Sequence, residues 1–188
     1  MYLPIFGLLV SICITFFITK TDLFDSRPRT LRIYQLKGFC PGYEKAPIIW
    51  RDVNFQTINR TFYLNGKILV RRGIQNGLKL DLSLRRCQSR DALATCEDYQ
   101  GIHLNRLCAF IHKDHTPWAP LVALIKPRIA CPLQKGAYSL TNGTIDGKAL
   151  FANWPFADYY WKTTVKVLDE VTDEVLMCIY MEAQTAPI

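Results

Sequence analysis

The sequence has little glycine and proline and lacks the common catalytic signatures. Its 188 residues include ten glycines and ten prolines, which are too few for a collagen or a low-complexity disordered tract. No G-x-S-x-G, H-E-x-x-H, G-x-G-x-x-G or P-loop pattern occurs. We therefore expect a globular protein that is not an enzyme and that needs no cofactor.

Histidine is scarce too, with only His103, His112 and His115 in the chain. His112 and His115 would share one face of a helix, and that spacing suits metal ligands. No further ligand is evident, because the nearby cysteines are better used in disulfides. We therefore expect ordinary surface histidines, no metal site and no Cys–His nucleophile.

One long hydrophobic run is present, and no second one follows it. Residues 2–18 contain no charged side chain. We interpret residues 1–19 as a cleaved secretory signal peptide, although a basic start is missing. The alternative is an uncleaved anchor, because about 17 apolar residues reach the lower limit for crossing a bilayer. We expect residues 20–188 to form a single domain that is secreted, with the lysosomal lumen as another destination.

Cysteine is abundant, with seven in the chain. Removal of the signal peptide would take away Cys13 and leave six: Cys40, Cys87, Cys96, Cys108, Cys131 and Cys178. An even number in a secreted chain predicts three disulfides, although fifteen pairings remain open. Sequons at Asn59 and Asn142 predict N-glycosylation and fit the same compartment.

The basic excess is modest and dispersed. The formal charge is +7, spread over doublets such as Arg85–Arg86 and over Lys126 with Arg128. No zinc-finger, helix-turn-helix or RNP-like pattern accompanies it. We expect solvated strand faces and no nucleic-acid partner, while anionic lipid head groups, glycosaminoglycans and acidic proteins are common partners of secreted basic domains.

Alternating hydrophobicity predicts an all-β fold. Residues 78–85 alternate strictly, so that Leu78, Leu80, Leu82 and Leu84 share one face. Asn76–Gly77 predicts a tight hairpin turn between this strand and an antiparallel strand over residues 61–71. Gly66 would mark a bulge in that earlier strand.

Further strands are expected on both sides of this hairpin. In residues 160–168, Trp161, Thr163, Val165 and Val167 share one side, and residues 174–183 return as the last strand. Residues 31–40 and 48–55 predict early strands, residues 102–112 a short helix or loop, and residues 116–130 an irregular loop with one helical turn. We expect two antiparallel sheets in a sandwich with an immunoglobulin-like layout.

Two proline-containing loops are unusually apolar. Residues 117–125 and 150–160 contain Trp118, Leu121, Val122, Phe151, Trp154 and Phe156. Such loops cover the ends of a core, or they mark a partner, membrane or ligand site. Both interpretations remain open at this point.

Several segments resemble one protein family. They are Cys96–Gly101 (CEDYQG), Cys108, Cys131–Leu140 (CPLQKGAYSL) and a C-terminal hairpin with Tyr160-Trp161-Lys162 and Cys178. They resemble the ganglioside activator proteins, which belong to the ML-type lipid-recognition β-cups. The resemblance covers roughly residues 40–183, and it extends to divergent insect relatives associated with chemosensory tissue.

The resemblance implies a disulfide framework. It pairs Cys40 with Cys178, Cys87 with Cys96, and Cys108 with Cys131. The sequence departs from the family in two places: Cys87 lies upstream of Cys96, whereas the family partner lies downstream, and a family pair in the loop before Cys131 is missing. These departures leave the ligand unidentified.

The resemblance also implies a function. Two splayed sheets would form a cup whose apolar cavity is lined by Leu78, Leu80, Leu82, Leu84, Trp161, Val165 and Val167. The rim, in transient contact with a membrane, would be Trp118, Leu121, Val122, Phe151, Trp154 and Phe156. Such a protein shields or transfers a lipid or other long apolar molecule, such as a ganglioside, a glycolipid or a chemosensory hydrocarbon. The alternative is an accessory protein that docks on a receptor or hydrolase and has no lipid ligand.

Overall fold

The structure, a computed structural model, describes residues 29–58, 61–116, 118–145 and 159–187. These residues form two antiparallel β-sheets that pack face to face as a sandwich and do not close into a barrel. The all-β sandwich predicted from the sequence is therefore confirmed. The predicted signal segment, residues 1–19, lies outside the described residues.

The two sheets contain five and four strands. Within the described ranges the strands are β1 (Arg29–Lys37), β2 (Ile48–Ile58), β3 (Thr61–Val70), β4 (Leu78–Cys87), β5 (Glu97–Leu104), β6 (Ile125–Lys126), β7 (Gly136–Gly143), β8 (Tyr160–Asp169) and β9 (Val175–Pro187). The five-stranded sheet has the order β1-β9-β8-β4-β5, and the four-stranded sheet has the order β2-β3-β7-β6.

Helical structure is limited to short segments. A 3-10 turn covers Leu93–Thr95, α1 covers Leu107–Phe110, and α2 covers Ala119–Ala123. The single helical turn expected within residues 116–130 is α2, whose first turn contains a proline, where a missing N–H costs nothing. No helix of the described ranges is long and apolar enough to cross a membrane.

The alternation of β4 and β8 gives their sheet one inner and one outer face. Leu80 lies opposite Val167, and Leu82 lies opposite Val165. Residues directly opposite each other in an antiparallel pair share a face. The leucine face of β4 and the valine face of β8 therefore both point toward the four-stranded sheet, as the periodicity predicts.

The predicted hairpin between residues 61–71 and 78–85 is wrong. β3 pairs with β2 and β7, whereas β4 pairs with β8 and β5, so the two strands belong to different sheets. Residues 71–77 cross between the sheets. Ile74 within this crossing is 1% exposed and bridges to Leu133. The side chain of Asn76 donates to the carboxylate of Asp169 and does not close a two-residue turn.

The prediction of a helix or loop over residues 102–112 is also wrong in part. β5 runs to Leu104, and only α1 is helical. Leu82 pairs with Ile102 but Leu84 pairs with Tyr99, so the register of β5 shifts by one residue near Gly101. This bulge breaks the alternation that would have identified the strand. β7 is a further strand that periodicity alone did not predict.

Three of the most deeply buried side chains lie together at one end of the sandwich, here called the sealed end. Val70, Ile74 and Leu176 are all at most 1% exposed. They come from the end of β3, from the crossing to β4 and from the start of β9, so this end joins both sheets. Each fully buried aliphatic side chain contributes roughly 1.5–3 kcal/mol.

Three disulfides reinforce this framework. They join Cys40 to Cys178, Cys87 to Cys96, and Cys108 to Cys131, which are the same pairs that the family resemblance implies. The first links the segment before β2 to β9, across 138 residues of sequence. Three intramolecular disulfides are characteristic of an extracellular or otherwise oxidising compartment.

The chain passes from β1 to the other sheet at Gly38. The backbone N–H of Trp50 donates to the Gly38 carbonyl at 3.1 Å. A Cβ at position 38 would lie 1.8 Å from the Trp50 carbonyl oxygen. Because that contact is with backbone, no side-chain movement can relieve it.

Gly38→Ala is therefore expected to destabilise the protein by about 3 kcal/mol. The control is Gly136→Ala, whose Cβ would meet only Tyr138 at an ordinary 3.9 Å. Denaturant unfolding of the oxidised protein measures both variants. Equal stability of the two would contradict the steric account.

Asp169 organises the β8–β9 turn. Its Oδ1 accepts the N–H groups of Val171 and Thr172, each at 3.0 Å, and the side chain of Asn76 also donates to its carboxylate. The hydrogen bond from the backbone N–H of Thr172 lowers the pKa of Asp169, and the hydrogen bond from the side chain of Asn76 lowers it further. Burial acts in the opposite direction. The turn is thus stabilised by an ionised carboxylate.

The contribution of Asp169 is expected to depend on pH. A lowered folded-state pKa stabilises the fold above the unfolded pKa of about 3.9 and stops doing so as the pH falls through the folded-state value. Asp169→Ala should therefore lower the melting temperature clearly at pH 7 and much less at pH 2.5. Asp91→Ala, at an exposed site, is the control. An equal effect of Asp169→Ala at both pH values would show that the charge is unimportant.

Candidate functional site

The inner face of the five-stranded sheet is not fully covered. Leu80, Leu82 and Val165 face the other sheet, yet all three keep partial exposure. They lie on β4 and β8, which are inner strands of the sheet, so their exposure does not come from a sheet edge. A close-packed sandwich would bury such positions completely.

The partly exposed positions lie between buried ones. Leu78 and Leu84, on the same face of β4, are 5% and 2% exposed, and Val167 is 7% exposed. Met177 and Met181 of β9 also face inward and are only partly buried. The gap in the packing is therefore local to the middle of the sheet.

The opposing sheet contributes an apolar wall. Phe62 and Leu64 of β3 are buried, and Phe55 of β2 packs on Phe62 with ring centroids 5.8 Å apart. Among the described residues, the buried polar side chains of the core are those of Thr163 and Asp169, and Asp169 belongs to the turn described above. The space between the sheets is thus suited to hydrocarbon rather than to charged ligands.

Trp50 adds one polar atom to this interior. Its indole covers Gly66, where a Cβ would lie 2.2 Å from Nε1. The indole N–H is buried and has no hydrogen-bond partner among the described residues. The bulge expected at Gly66 lies instead in the two partner strands, because opposite this part of β3 both β2 (between Arg51 and Asn54) and β7 (between Leu140 and Gly143) contain one extra residue.

Aromatic residues close the five-stranded sheet at the end opposite the sealed end. Arg86 lies over the rings of Tyr99 and Tyr159, 5.2 and 5.0 Å from their centroids, and its Nε donates to Glu97 at 2.6 Å. This hydrogen bond raises the pKa of the guanidinium. Trp161, predicted to line a cavity, is 2% exposed and packs edge-on against Tyr99.

The predicted rim residues of the first apolar loop are only partly accessible. Val122 is 7% exposed, and Leu121 packs against the core. Trp118 is partly buried, and its Nε1 donates to the Phe110 carbonyl at 3.3 Å. Leu124 of this segment is a large apolar side chain that is 41% exposed. Phe151, Trp154 and Phe156 of the second loop lie outside the described residues.

The outer face of the five-stranded sheet contains a separate polar cluster. Tyr160 and Tyr180 both donate to the carboxylate of Glu182. Burial and the bond to Glu182 raise the pKa of Tyr160 to about 12 and raise that of Tyr180 as well. Burial alone would raise the pKa of Glu182, but the two phenols and Lys162 lower it. All three groups therefore keep fixed protonation states near neutral pH, which suits a structural cluster and not a proton-transfer site.

The remaining predicted sites lie on the surface. Asn142 of the second sequon is exposed in β7, and its backbone N–H donates to Asn65 at 2.8 Å. Asn59 is outside the described residues. His112 and His115 lie in turns after α1, not on a helix, and within the described ranges no group of three or more His, Cys, Asp or Glu could hold a metal ion.

Sequence reasoning missed part of the interior. Met177, Ile179 and Met181 alternate along β9 and share the inner face, and this period of two was visible in the sequence. Phe55 and Phe62 were within predicted strands, but no pattern indicated which face of the opposing sheet they would join. The side-chain set of the interior is thus larger than the seven predicted residues.

Comparison with protein-family models finds no match, and comparison with curated proteins finds no match either.

The uneven burial of β4 leads to a direct test. Leu84→Ala should cost about 3 kcal/mol, because a fully buried leucine leaves a cavity. Leu82→Ala should cost only about 1 kcal/mol, because its side chain already borders open space. Denaturant unfolding of the two variants measures the difference. Equal costs would mean that the sheets are packed at Leu82 as tightly as at Leu84.

Proposed function

We propose that this protein is a non-enzymatic carrier that holds a lipid or another long apolar molecule between its two sheets. The observation that supports this proposal is the partial exposure of Leu80, Leu82 and Val165 on inner strands of the sandwich. If stability were the only requirement, larger side chains would be expected to fill the space beside these three residues, because a fully packed core is more stable than an incompletely packed one. A gap lined by apolar side chains is useful to a protein that binds hydrocarbon.

The energetics favour a carrier for long chains. Transfer of each CH₂ group out of water is worth roughly 0.8 kcal/mol, so a sixteen-carbon chain gains on the order of 12 kcal/mol. An apolar interior provides this gain without catalytic groups. The inward positions of β4 from Leu78 to Leu84 and of β8 from Thr163 to Val167 include no charged residue.

The compartment follows from three features taken together. The disulfides suit an oxidising environment, residues 1–19 have the composition of a signal peptide, and Asn142 is an exposed sequon. We propose that the protein is secreted and glycosylated, and that it meets its ligand in an extracellular or lysosomal fluid.

The ligand class follows from the family resemblance. A ganglioside activator-like β-cup takes up a glycolipid or a long hydrocarbon, and the apolar loops over residues 117–125 and 150–160 would touch the membrane during loading. A chemosensory hydrocarbon is the corresponding ligand for a divergent insect relative. The interior described above accepts the acyl or alkyl part of any of these.

Filling the space between the two sheets should weaken binding of an apolar ligand. Val165 lies opposite Leu82 and Ile179 on the inner face, so Val165→Trp would place an indole in the open space. We expect it to weaken binding of a fluorescent long-chain fatty acid by at least about tenfold. Thr164→Trp, on the next residue of β8 and on the outer face, is the matched control and should bind as the unmodified protein does.

The outcomes separate the alternatives. Equal binding by the Val165→Trp and Thr164→Trp variants, both folded by circular dichroism, would place the ligand outside the interior. Failure of the unmodified protein to bind fatty acid, glycolipid and long-chain hydrocarbon would overturn the carrier proposal. That result would favour the accessory role, in which a receptor or hydrolase is the partner.

A further inference from the structure

A second concave site lies beside α2, outside the space between the sheets. It is a pocket of about 360 Å³ whose apolar wall includes Ala119, Val122 and Ala123 of α2. Lys126 of β6 and Arg128, two residues later, also line it. The pocket thus combines an apolar wall with two cations.

The two cations are available to a ligand. Among the described residues, neither Lys126 nor Arg128 forms an ion pair, and both are exposed. Asp114 is the one carboxylate in the described lining, and no ion pair joins it to either cation. Two cations against one carboxylate leave the pocket with an excess of positive charge, which favours an anion.

A hydrogen bond holds the sides of the pocket together. The Nε2 of His112 is 2.6 Å from the Ile129 carbonyl. Because a carbonyl only accepts, Nε2 carries the proton. This contact joins the turn that contributes Asp114 to the segment that contributes Arg128. The two backbone segments that carry Asp114 and Arg128 are therefore held beside each other.

α2 packs against the core of the sandwich and also contributes to the pocket. Leu121 packs with the core, as does Ile125 of β6, while Val122 lines the pocket. The cationic pocket therefore lies beside the apolar core. An amphipathic molecule likewise joins a charged group to an apolar one.

We propose that the pocket beside α2 binds the anionic head group, a phosphate or a carboxylate, of the amphipathic ligand whose tail occupies the interior. This inference rests on the proposed carrier function. The volume is near the lower end of the range for small-molecule sites, which suits a head group and not a whole lipid. Arg128 provides a planar pair of donors that matches either anion, and Lys126 adds a point charge.

The test compares ligands that share one tail. Isothermal titration measures binding of dodecyl phosphate, dodecanoate, dodecanol and inorganic phosphate to the full-length oxidised protein. The charged amphiphiles should bind at least about tenfold more tightly than dodecanol, because hydrogen bonds to charged groups are stronger than those between neutral groups. Inorganic phosphate alone should bind far more weakly than dodecyl phosphate.

Variants locate the effect. The double variant Lys126→Gln with Arg128→Gln should remove the preference for dodecyl phosphate over dodecanol while leaving dodecanol affinity unchanged. Lys45→Gln with Arg51→Gln removes the same two charges at exposed positions outside the pocket and should keep the preference. Asp114→Asn should strengthen binding of dodecyl phosphate several-fold, since it removes the opposing charge.

Each result bears on one proposal. Equal affinity for dodecanol and dodecyl phosphate would overturn the head-group site and leave the carrier function standing. Equal affinity for inorganic and dodecyl phosphate would mean that the pocket holds a free anion, which overturns the link to an amphiphile. Absence of binding by all three amphiphiles would overturn the carrier function itself.

Discussion

The structure depends on the burial of one apolar face of each sheet against the other, and this burial is uneven. At the sealed end Val70, Ile74 and Leu176 exclude water almost completely. Toward the middle of the five-stranded sheet the same alternating faces continue, but the opposing sheet no longer covers them fully. Deeply buried side chains at the sealed end, together with Leu84 and Trp161 toward the other end, therefore contribute stability while the middle remains incompletely packed.

The sequence predicted the faces of strands better than it predicted their partners. Strict alternation in β4 and β8 identified which side chains point inward, because the side-chain period of a strand is fixed at two. It could not identify the sheet to which β3 belongs. The Asn76–Gly77 pair is typical of a hairpin, yet Asn76 bonds to Asp169 of another strand and Ile74 is drawn into the core. Such long-range contacts leave no local pattern.

The candidate site was predictable to a similar extent. Leu80, Leu82 and Val165 were expected to line a cavity, and the structure places them on the inner face of the five-stranded sheet with partial exposure. Trp161 lies on the same face of β8 as Val165 but is almost fully buried, because it stands at the end of the sheet, where the rings of Tyr99 and Tyr159 pack against it. The sequence identified Lys126 and Arg128 as neighbouring cations that suit anionic head groups, but it did not predict the pocket beside α2. Lys126 and Arg128 become neighbours of Asp114 and Val122 only through the fold of the segment between α1 and β7.

The methionines of β9 and the disulfides act on different parts of the molecule. Cys40–Cys178 and Cys108–Cys131 tie segments that lead into the four-stranded sheet to residues on or next to the five-stranded one. Large separations of the two layers are thereby restricted by covalent bonds. Met177 and Met181 have unbranched, rotatable side chains that adjust to irregular shapes. In the proposed carrier, adaptation to ligands of different length would therefore depend on rotamer changes of these methionines, within a backbone whose two sheets are joined by disulfides.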